Sequence, residues 1–318
     1  DDRGNETDQA FFGANGKKPV LNKDSFHRET KKYDEYGNLV ETAYFDGEGR
    51  PVVHRELGHR ITSKYDERGN LIELAYFDTD GKPSLHQDGY HRFTSRFDDR
   101  GNTVELAYFD TDGKPSLHQA GYHRSTSRFN DRGNLVESLL FDIDDKPTVD
   151  SRGIHKFTYA YDTRSNMTER ACFGVSDNRV IDQGEGYHKI TSIYNDRGAL
   201  TEEAFFDAAN EPTVDAAGIH KYTDTEYTDN SHEKNLVTAY FDAEGRPTTH
   251  QSGNHKWTRA YDQRGNMVEE SYLGVNDQPV ISLVTGFYKS TIKFDAQDRP
   301  IETAYFDTDG KPIQSQDD

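Results

Sequence analysis

The chain has 318 residues, of which 32% are hydrophobic, and its 57 acidic and 38 basic residues give a formal net charge of −19 at pH 7. So little apolar material argues against a thick globular core, and the negative charge disfavours nucleic acid and anionic membranes as partners. The single cysteine cannot form a disulfide within the chain. No apolar run is long enough to span a bilayer, so we expect no membrane insertion.

A unit of about 32 residues recurs from end to end, and this repeat decides the fold class. One copy runs from Tyr90 to Gly121, and similar sequences precede and follow it. A period of 20–50 residues is typical of repeat arrays, in which each unit packs on its neighbours. We predict a single tandem-repeat array over residues 1–318, with nine to ten units and an insertion in one of them near residues 229–232. The chain opens in the middle of a unit, so we also expect it to be a piece of a longer array.

Each unit is predicted to begin with a β-hairpin. The segments His91–Phe97 and Thr103–Phe109 alternate in polarity and are rich in aromatic and β-branched residues. Asp98 opens and Gly101 nearly closes the intervening segment, which is typical of a type I turn with a bulge. With Asp98 paired to Asn102, we predict that the packed face carries His91, Phe93, Ser95 and Phe97 of the first strand and Thr103, Glu105, Ala107 and Phe109 of the second.

A short apolar segment follows a proline in most units and is predicted to form a brief strand or an extended lid. Examples are Pro51-Val52-Val53, Pro83-Ser84-Leu85 and Pro147-Thr148-Val149. Four further histidines lie in this connector, at His54, His86, His118 and His250. Aspartates replace them in other units, and this exchange indicates an exposed position.

Two ways of stacking the units are open. A parallel β-solenoid would place the basic column that contains Arg92 and the acidic column that contains Glu105 in like-charge ladders about 4.8 Å apart, which are destabilising. Antiparallel hairpins double that spacing, so salt screens much of the repulsion. We therefore predict an all-β, elongated array of antiparallel β-hairpins, forming a ribbon or superhelix, and keep the parallel β-solenoid as the alternative.

The turn carries a family resemblance. Tyr65-Asp66-Glu67-Arg68-Gly69-Asn70-Leu71 resembles the signature of bacterial YD (RHS-type) repeats, and partial matches recur around Phe97, Phe129, Tyr161 and Tyr261. The unit found here is about half again as long as a YD repeat, because it contains the Gly-Lys-Pro connector. The resemblance implies antiparallel β-hairpins in large secreted or surface bacterial proteins.

Histidine marks one column of the repeat. It could bind a metal or respond to pH, or it could be a structural residue hydrogen-bonded to a backbone or acidic group. One histidine per unit is too sparse for a tetrahedral metal site without other ligands, so we favour the structural role. The column contains His27, His59, His91, His123, His155, His188, His220 and His255.

Other columns of the repeat suggest chemistry or packing. Paired carboxylates in a turn suggest calcium, at Asp78 and Asp80, Asp110 and Asp112, and Asp307 and Asp309, although a plain turn explains the loop in units without the carboxylates. Threonine fills the column of Thr94 without exception, and such a row could bind ice, carry O-glycans or simply be a β-branched strand position. Glu105 and Phe109 mark two further columns that we interpret as structural.

No catalytic motif stands apart from the repeat, so we predict a non-enzymatic protein without a cofactor, calcium excepted. The favoured function is a bacterial surface or extracellular scaffold, a fibre or stalk that grows by continuation of the array or by head-to-tail pairing with copies of itself. The alternative is a protein- or glycan-binding module. It would use a localised patch on divergent units, expected between Asn166 and Lys234, and variable residues such as Phe93 and Trp257.

Overall fold

The computed structural model describes residues 1–13, 19–55, 57–227 and 234–314. The insertion predicted near residues 229–232 lies outside them. The described residues contain 20 β-strands and no helix, and neighbouring strands pair in antiparallel register. The all-β prediction with antiparallel hairpins is confirmed, and the parallel β-solenoid is wrong. Among these described residues, no helix is long and apolar enough to cross a bilayer.

The chain divides into two compact units. Unit 1 comprises Asp1–Phe157 with Gly174–Ser176, and unit 2 comprises Thr158–Phe173 with Asp177–Asp318. The strands of unit 1 are β1 (Asp8–Ala10), β2 (Arg28–Tyr33), β3 (Leu39–Phe45), β4 (Arg60–Tyr65), β5 (Leu71–Phe77), β6 (Arg92–Phe97), β7 (Thr103–Phe109), β8 (Arg124–Phe129) and β9 (Leu135–Phe141).

Strand β10 (Lys156–Tyr161) contains residues of both units. The further strands, all of unit 2, are β11 (Met167–Phe173), β12 (Lys189–Tyr194), β13 (Leu200–Phe206), β14 (Lys221–Tyr227), β15 (Lys234–Phe241), β16 (Lys256–Tyr261), β17 (Met267–Leu273), β18 (Lys289–Phe294), β19 (Pro300–Phe306) and β20 (Pro312–Ile313).

Each repeat contains tight turns of one design. In the hairpin turn, the Asp98 carboxylate accepts hydrogen bonds from the backbone N–H groups of Arg100 and Asn102, both at 2.9 Å. Gly101 closes the turn with a φ of 83°, in the left-handed region that a residue without Cβ adopts at little cost. The Asp110–Lys114 turn repeats the scheme, with Asp110 accepting from Asp112 and Lys114. A short polar residue and a residue with positive φ three positions later therefore position most of these reversals; the second residue is usually glycine, and Asp145 or Asn210 takes its place in some turns.

A β-bulge in the hairpin shows that the predicted packed face is wrong. Arg96 lies opposite Glu105, whereas Phe97 lies opposite Thr103, so the pairing shifts by one residue at a β-bulge. Beyond the bulge Phe93 lies opposite Tyr108 and Ser95 opposite Leu106. Because a shift of one residue exchanges the faces of a strand, the predicted grouping of Phe93 with Ala107 and Phe109 is wrong.

The apolar core of unit 1 lies on the corrected face. Tyr76, Tyr90 and Tyr108 are buried together, and Leu74, Phe93 and Leu106 pack against them. The opposite face carries Arg92 and Glu105 with small alanines between them. The segment after the proline forms a single bridge to the end of the second strand, as between Pro115 and Phe109. Among the described residues it forms a strand only at Pro312–Ile313.

Candidate functional site

The histidine column forms a recurrent junction, which we call the histidine node: the histidine, the carbonyl bonded to its ring and the phenylalanine against the ring. In the node of His220, the backbone N–H donates to the Phe241 carbonyl at 2.9 Å, and the backbone carbonyl accepts from Phe205 N–H at 3.0 Å. The ring Nδ1 lies 2.9 Å from the Thr213 carbonyl. Because a carbonyl only accepts, Nδ1 carries the proton and donates it. One residue thus ties two strands and the connector together.

The node recurs with little variation. The ring centroids of histidine and phenylalanine are 5.1–6.0 Å apart in near-perpendicular contact. The Nδ1 to carbonyl distances are 2.9–3.4 Å. The histidines are only 2–8% exposed. The members are His27 with Phe12, His59 with Phe45, His91 with Phe77, His123 with Phe109, His155 with Phe141, His188 with Phe173, His220 with Phe206, and His255 with Phe241.

This arrangement uses one ring nitrogen of each histidine for backbone bonding. Burial lowers the pKa of His188 below its usual value, so the neutral ring is favoured in the fold. In the part of the chain that the structure describes, no group of three or more histidine, cysteine, aspartate or glutamate residues is clustered so as to hold a metal ion. The buried ring and its bond to a backbone carbonyl fit the structural role expected for the histidine column, which stays a prediction.

The proposed calcium residues lie in tight turns. Asp78 Oδ1 accepts from the backbone N–H groups of Asp80 and Lys82, both at 2.9 Å. The Asp80 carboxylate lies on the surface 3.6 Å from the Lys82 ammonium. The same bonds recur at Asp110 with Asp112 and at Asp307 with Asp309. Calcium binding at these six aspartates remains a prediction.

The acidic and basic columns meet in ion pairs. Glu105 lies 3.2 Å from Arg124 of the next hairpin and 3.7 Å from Arg96 of its own. The Arg124 guanidinium also lies 4.2 Å from the ring centroid of Phe141, in a cation–π contact. Equivalent pairs join Arg60 to Glu41, Arg92 to Glu73, Lys189 to Glu169, Lys221 to Glu202 and Lys289 to Glu269. Antiparallel stacking therefore replaces like-charge ladders with attraction between neighbouring hairpins.

Thr94 and Phe109 occupy defined places in this scheme. Thr94 lies opposite Ala107 of its own hairpin and opposite Glu73 of the preceding hairpin. The Phe109 ring lies beneath the Arg92 guanidinium at 4.5 Å and against the His123 ring at 5.4 Å. Both residues lie where one hairpin meets the next.

The four connector histidines are not exposed, contrary to the sequence interpretation. His86 stacks on Tyr76 with ring centroids 4.8 Å apart, and His118 lies 4.9 Å from Tyr108. His54 and His250 make the same contact with Tyr44 and Tyr240. The exchange of histidine for aspartate suggested an exposed position. The Asp150 carboxylate, however, accepts a hydrogen bond from the Arg152 N–H within the same turn, so aspartate has a structural role there too. The exchange reflects two ways of closing one turn.

Sequence reasoning also missed a cavity of about 150 Å³ in unit 2, lined by Tyr240, Asn254, Trp257, Tyr272 and Ser282 among others. It lies outside the stretch from Asn166 to Lys234 in which a binding patch was expected. The available signal was Asn254, which replaces the large apolar residue found before the histidine in most repeats.

The acidity of the hairpin turns gives a first prediction. Hydrogen bonds from asparagine side chains hold the pKa values of Asp34, Asp66, Asp98, Asp162 and Asp262 below the usual range. A carboxyl whose pKa is depressed by folding stabilises the fold above its unfolded pKa, and this contribution is lost as the pH falls through the folded pKa. We expect the urea midpoint to fall as the pH drops below about 4.

The chain provides a matched control for this prediction. Asn130 occupies the same turn position and accepts from Arg132 and Asn134 N–H groups at 3.0 Å without titrating. Replacing the five aspartates by asparagine should flatten the acid dependence and lower the midpoint at neutral pH, where the ionised carboxylates contribute to stability. An acid dependence that is unaltered in this variant would assign it to other groups.

Comparison with known proteins gives no family for the chain. No family model matches it, and no curated protein matches it. Among solved structures, it is similar over 90% of its length to 14% of a chain in the Photorhabdus luminescens Tc holotoxin pore, with 13% identity and a TM-score of 0.32. It is similar over 94% of its length to 20% of a chain in a TcdB2-TccC3 structure, with 10% identity and a TM-score of 0.23. The chain thus spans at most a fifth of these proteins.

Proposed function

We propose that this chain is a non-enzymatic structural scaffold, which extends by adding hairpins in one fixed register. The observation that carries the proposal is the pairing between successive hairpins, in which the glutamate column lies opposite the threonine column; only between β15 and β16, among the described pairings, does Val237 take the place of the glutamate, opposite Thr258. In unit 1 these pairs are Glu41 with Thr62, Glu73 with Thr94, and Glu105 with Thr126. In unit 2 they are Glu169 with Thr191, Glu202 with Thr223, and Glu269 with Thr291.

Three contacts support extension by the same rule. Most junctions combine a backbone ladder, an ion pair such as Arg124 with Glu105, and a histidine node; Val237 replaces the glutamate at one junction and Tyr288 replaces the histidine at another. None of these depends on a residue that occurs only once, so an added hairpin with the same columns would dock equally well. Repeat arrays are stabilised by such nearest-neighbour interfaces.

Strand β19 provides the surface on which addition would occur. Ile301 is 66% exposed, and Ala304 lacks the burial of its equivalents Ala107 and Ala204. An exposed strand edge offers unpaired N–H and C=O groups to another strand. We propose that a following hairpin, or the first hairpin of another copy, pairs with this edge.

The resemblance to YD repeats supports placing the scaffold on the surface of a bacterium or outside it, as a fibre or stalk. A non-catalytic role is supported by the recurrence of the candidate residues, because a catalytic site is normally unique. Binding of protein or glycan remains the alternative, and one region of unit 2 bears on it below.

Self-assembly is tested by electron microscopy and sedimentation of the purified chain over a concentration series. We expect filaments longer than one chain, with a regular axial spacing set by the repeat, at the higher concentrations. Monodisperse short particles at every concentration would contradict head-to-tail assembly by this chain.

A proline variant makes the same test specific to the β19 edge. Tyr272 N–H donates to the Tyr288 carbonyl of the next hairpin at 2.9 Å. Residues two apart point their N–H groups the same way, so the amide of Thr303, which is the equivalent of Glu270, points away from β18. Thr303→Pro should therefore block addition and keep its own hairpin. Thr308→Pro, in the turn that follows, is the matched control and should leave the filaments intact.

A further inference from the structure

We propose that unit 2 contains a binding site for one pyranose ring of a neutral glycan, in the cavity beside Trp257. This site is additional to the proposed scaffold role. The cavity has a volume of about 150 Å³ and is open to solvent on one side. An apolar cavity of about this size is known to hold benzene, and the open side leaves room for the hydroxyl groups of a pyranose.

The cavity arises because a small residue replaces the large side chain that fills this space in other repeats. In other repeats the residue before the node histidine is large and fills the space between the tyrosines of adjacent hairpins. Tyr90 lies 6.0 Å from Tyr76 and 4.8 Å from Tyr108, and Phe287 lies 5.9 Å from Tyr272. Asn254 takes this place in its repeat, and its side chain is too short to fill the gap. Gly58 is also small, but Leu57 packs on the neighbouring core.

The polar wall is held in place by hydrogen bonds. Asn254 is 1% exposed, its Oδ1 accepts from Ser252 Oγ at 2.6 Å, and its Nδ2 donates to the Lys256 carbonyl at 3.1 Å. Ser282, also 1% exposed, lies in the same wall. Amide and hydroxyl groups in fixed positions both donate and accept, which suits ligand hydroxyls.

The aromatic wall is equally well fixed. Trp257 Nε1 donates to Glu270 Oε2 at 3.0 Å, and the Tyr272 hydroxyl donates to the same oxygen at 3.1 Å. The Arg259 guanidinium lies 3.9 Å from the centroid of the Trp257 ring, and the Trp257 and Tyr272 rings are within 3° of parallel. A binding site is more selective when such supporting contacts lock its side chains.

These two walls select the ligand class. None of the lining residues carries a charge, and the chain as a whole is strongly negative, so an anionic ligand is disfavoured. A flat apolar surface beside short hydroxyl and amide groups matches a sugar ring, which has an apolar C–H face and a rim of hydroxyls. A few placed polar groups on an aromatic surface are typical of ligand pockets.

Ligand binding can be followed by tryptophan fluorescence, because Trp257 is the only tryptophan of the chain and lines the cavity. The experiment is a fluorescence titration of the intact chain with the methyl pyranosides of glucose, mannose, galactose and N-acetylglucosamine. We expect a saturable shift of the emission to shorter wavelength with at least one of them, with half-saturation in the millimolar range. Sorbitol, which has the hydroxyls but no ring, should cause no saturable change.

Asn254→Tyr is the matched variant, since Tyr90 and Tyr122 occupy this position in folded repeats. It should fill the cavity, keep the tryptophan and weaken binding at least ~tenfold. Unchanged binding in this variant would overturn the proposal, as would the absence of a saturable response to all four pyranosides. A saturable response to N-acetylphenylalaninamide alone would also overturn it, because the cavity would then hold a peptide side chain.

Discussion

Replacing Phe205 with alanine is expected to lower the free energy of unfolding by about 3–5 kcal/mol. Phe205 is 2% exposed, and its ring lies 4.6 Å from the Tyr187 ring and 5.5 Å from the Tyr222 ring. Truncation removes the apolar transfer energy and leaves a cavity that two rigid rings cannot close. The measurement is urea denaturation followed by circular dichroism, with hydrogen exchange to locate the loss in unit 2.

Two further variants serve as controls for this prediction. Leu140 occupies the same column in unit 1, so Phe205→Leu should cost clearly less than Phe205→Ala. Tyr36 is 80% exposed in a turn, so Tyr36→Ala should change the stability by less than about 0.5 kcal/mol. If Phe205→Ala cost no more than Tyr36→Ala, the aromatic column would not be the core of its unit.

Replacing His220 with alanine is expected to destabilise the chain by about 2–4 kcal/mol. The change removes a buried ring 5.6 Å from the Phe206 ring and deprives the Thr213 carbonyl of its donor, 2.9 Å away. The backbone bonds of His220 to Phe205 and Phe241 would remain. The loss should therefore appear first as faster hydrogen exchange in the connector that contains Thr213.

Asparagine and leucine separate the two contributions at His220. Asparagine places an amide N–H close to the position of the histidine Nδ1, whereas leucine supplies volume without a donor. Because an unsatisfied buried carbonyl costs about 1–3 kcal/mol, we expect His220→Asn to be more stable than His220→Leu. The reverse order would mean that the node histidine acts by packing alone.

Much of this fold could be predicted from the sequence because the same local signals recur in every unit. The Asp98 to Asn102 turn follows from residues that accept local hydrogen bonds or adopt a positive φ, and the strands follow from alternation. The choice of antiparallel hairpins followed from the charge columns, and the ion pair of Arg124 with Glu105 gives its physical basis.

The packed face could not be predicted, because it depends on one bulge. The shift between Arg96 and Phe97 leaves no mark in the polarity pattern, yet it exchanges the faces of the strand. The expectation for the connector histidines failed because either His118 or Asp150 can close this turn, and neither side chain is exposed there. The cavity beside Trp257 could not be predicted either, because its prediction requires knowing which residues face each other across neighbouring hairpins.

The most direct test of the account removes one whole repeat. Deletion of Tyr90–Gly121 joins Gly89 to Tyr122 and restores the Gly-Tyr-His-Arg sequence of the original junction. If each hairpin docks only on its neighbours through the same columns, the shortened chain should keep its β-sheet circular dichroism per residue and a melting midpoint within about 5 °C of the parent. Deletion of Tyr90–Glu105, half a repeat, should disrupt folding. Loss of folded structure on removal of the whole repeat, to the same degree as on removal of half, would contradict the modular scaffold.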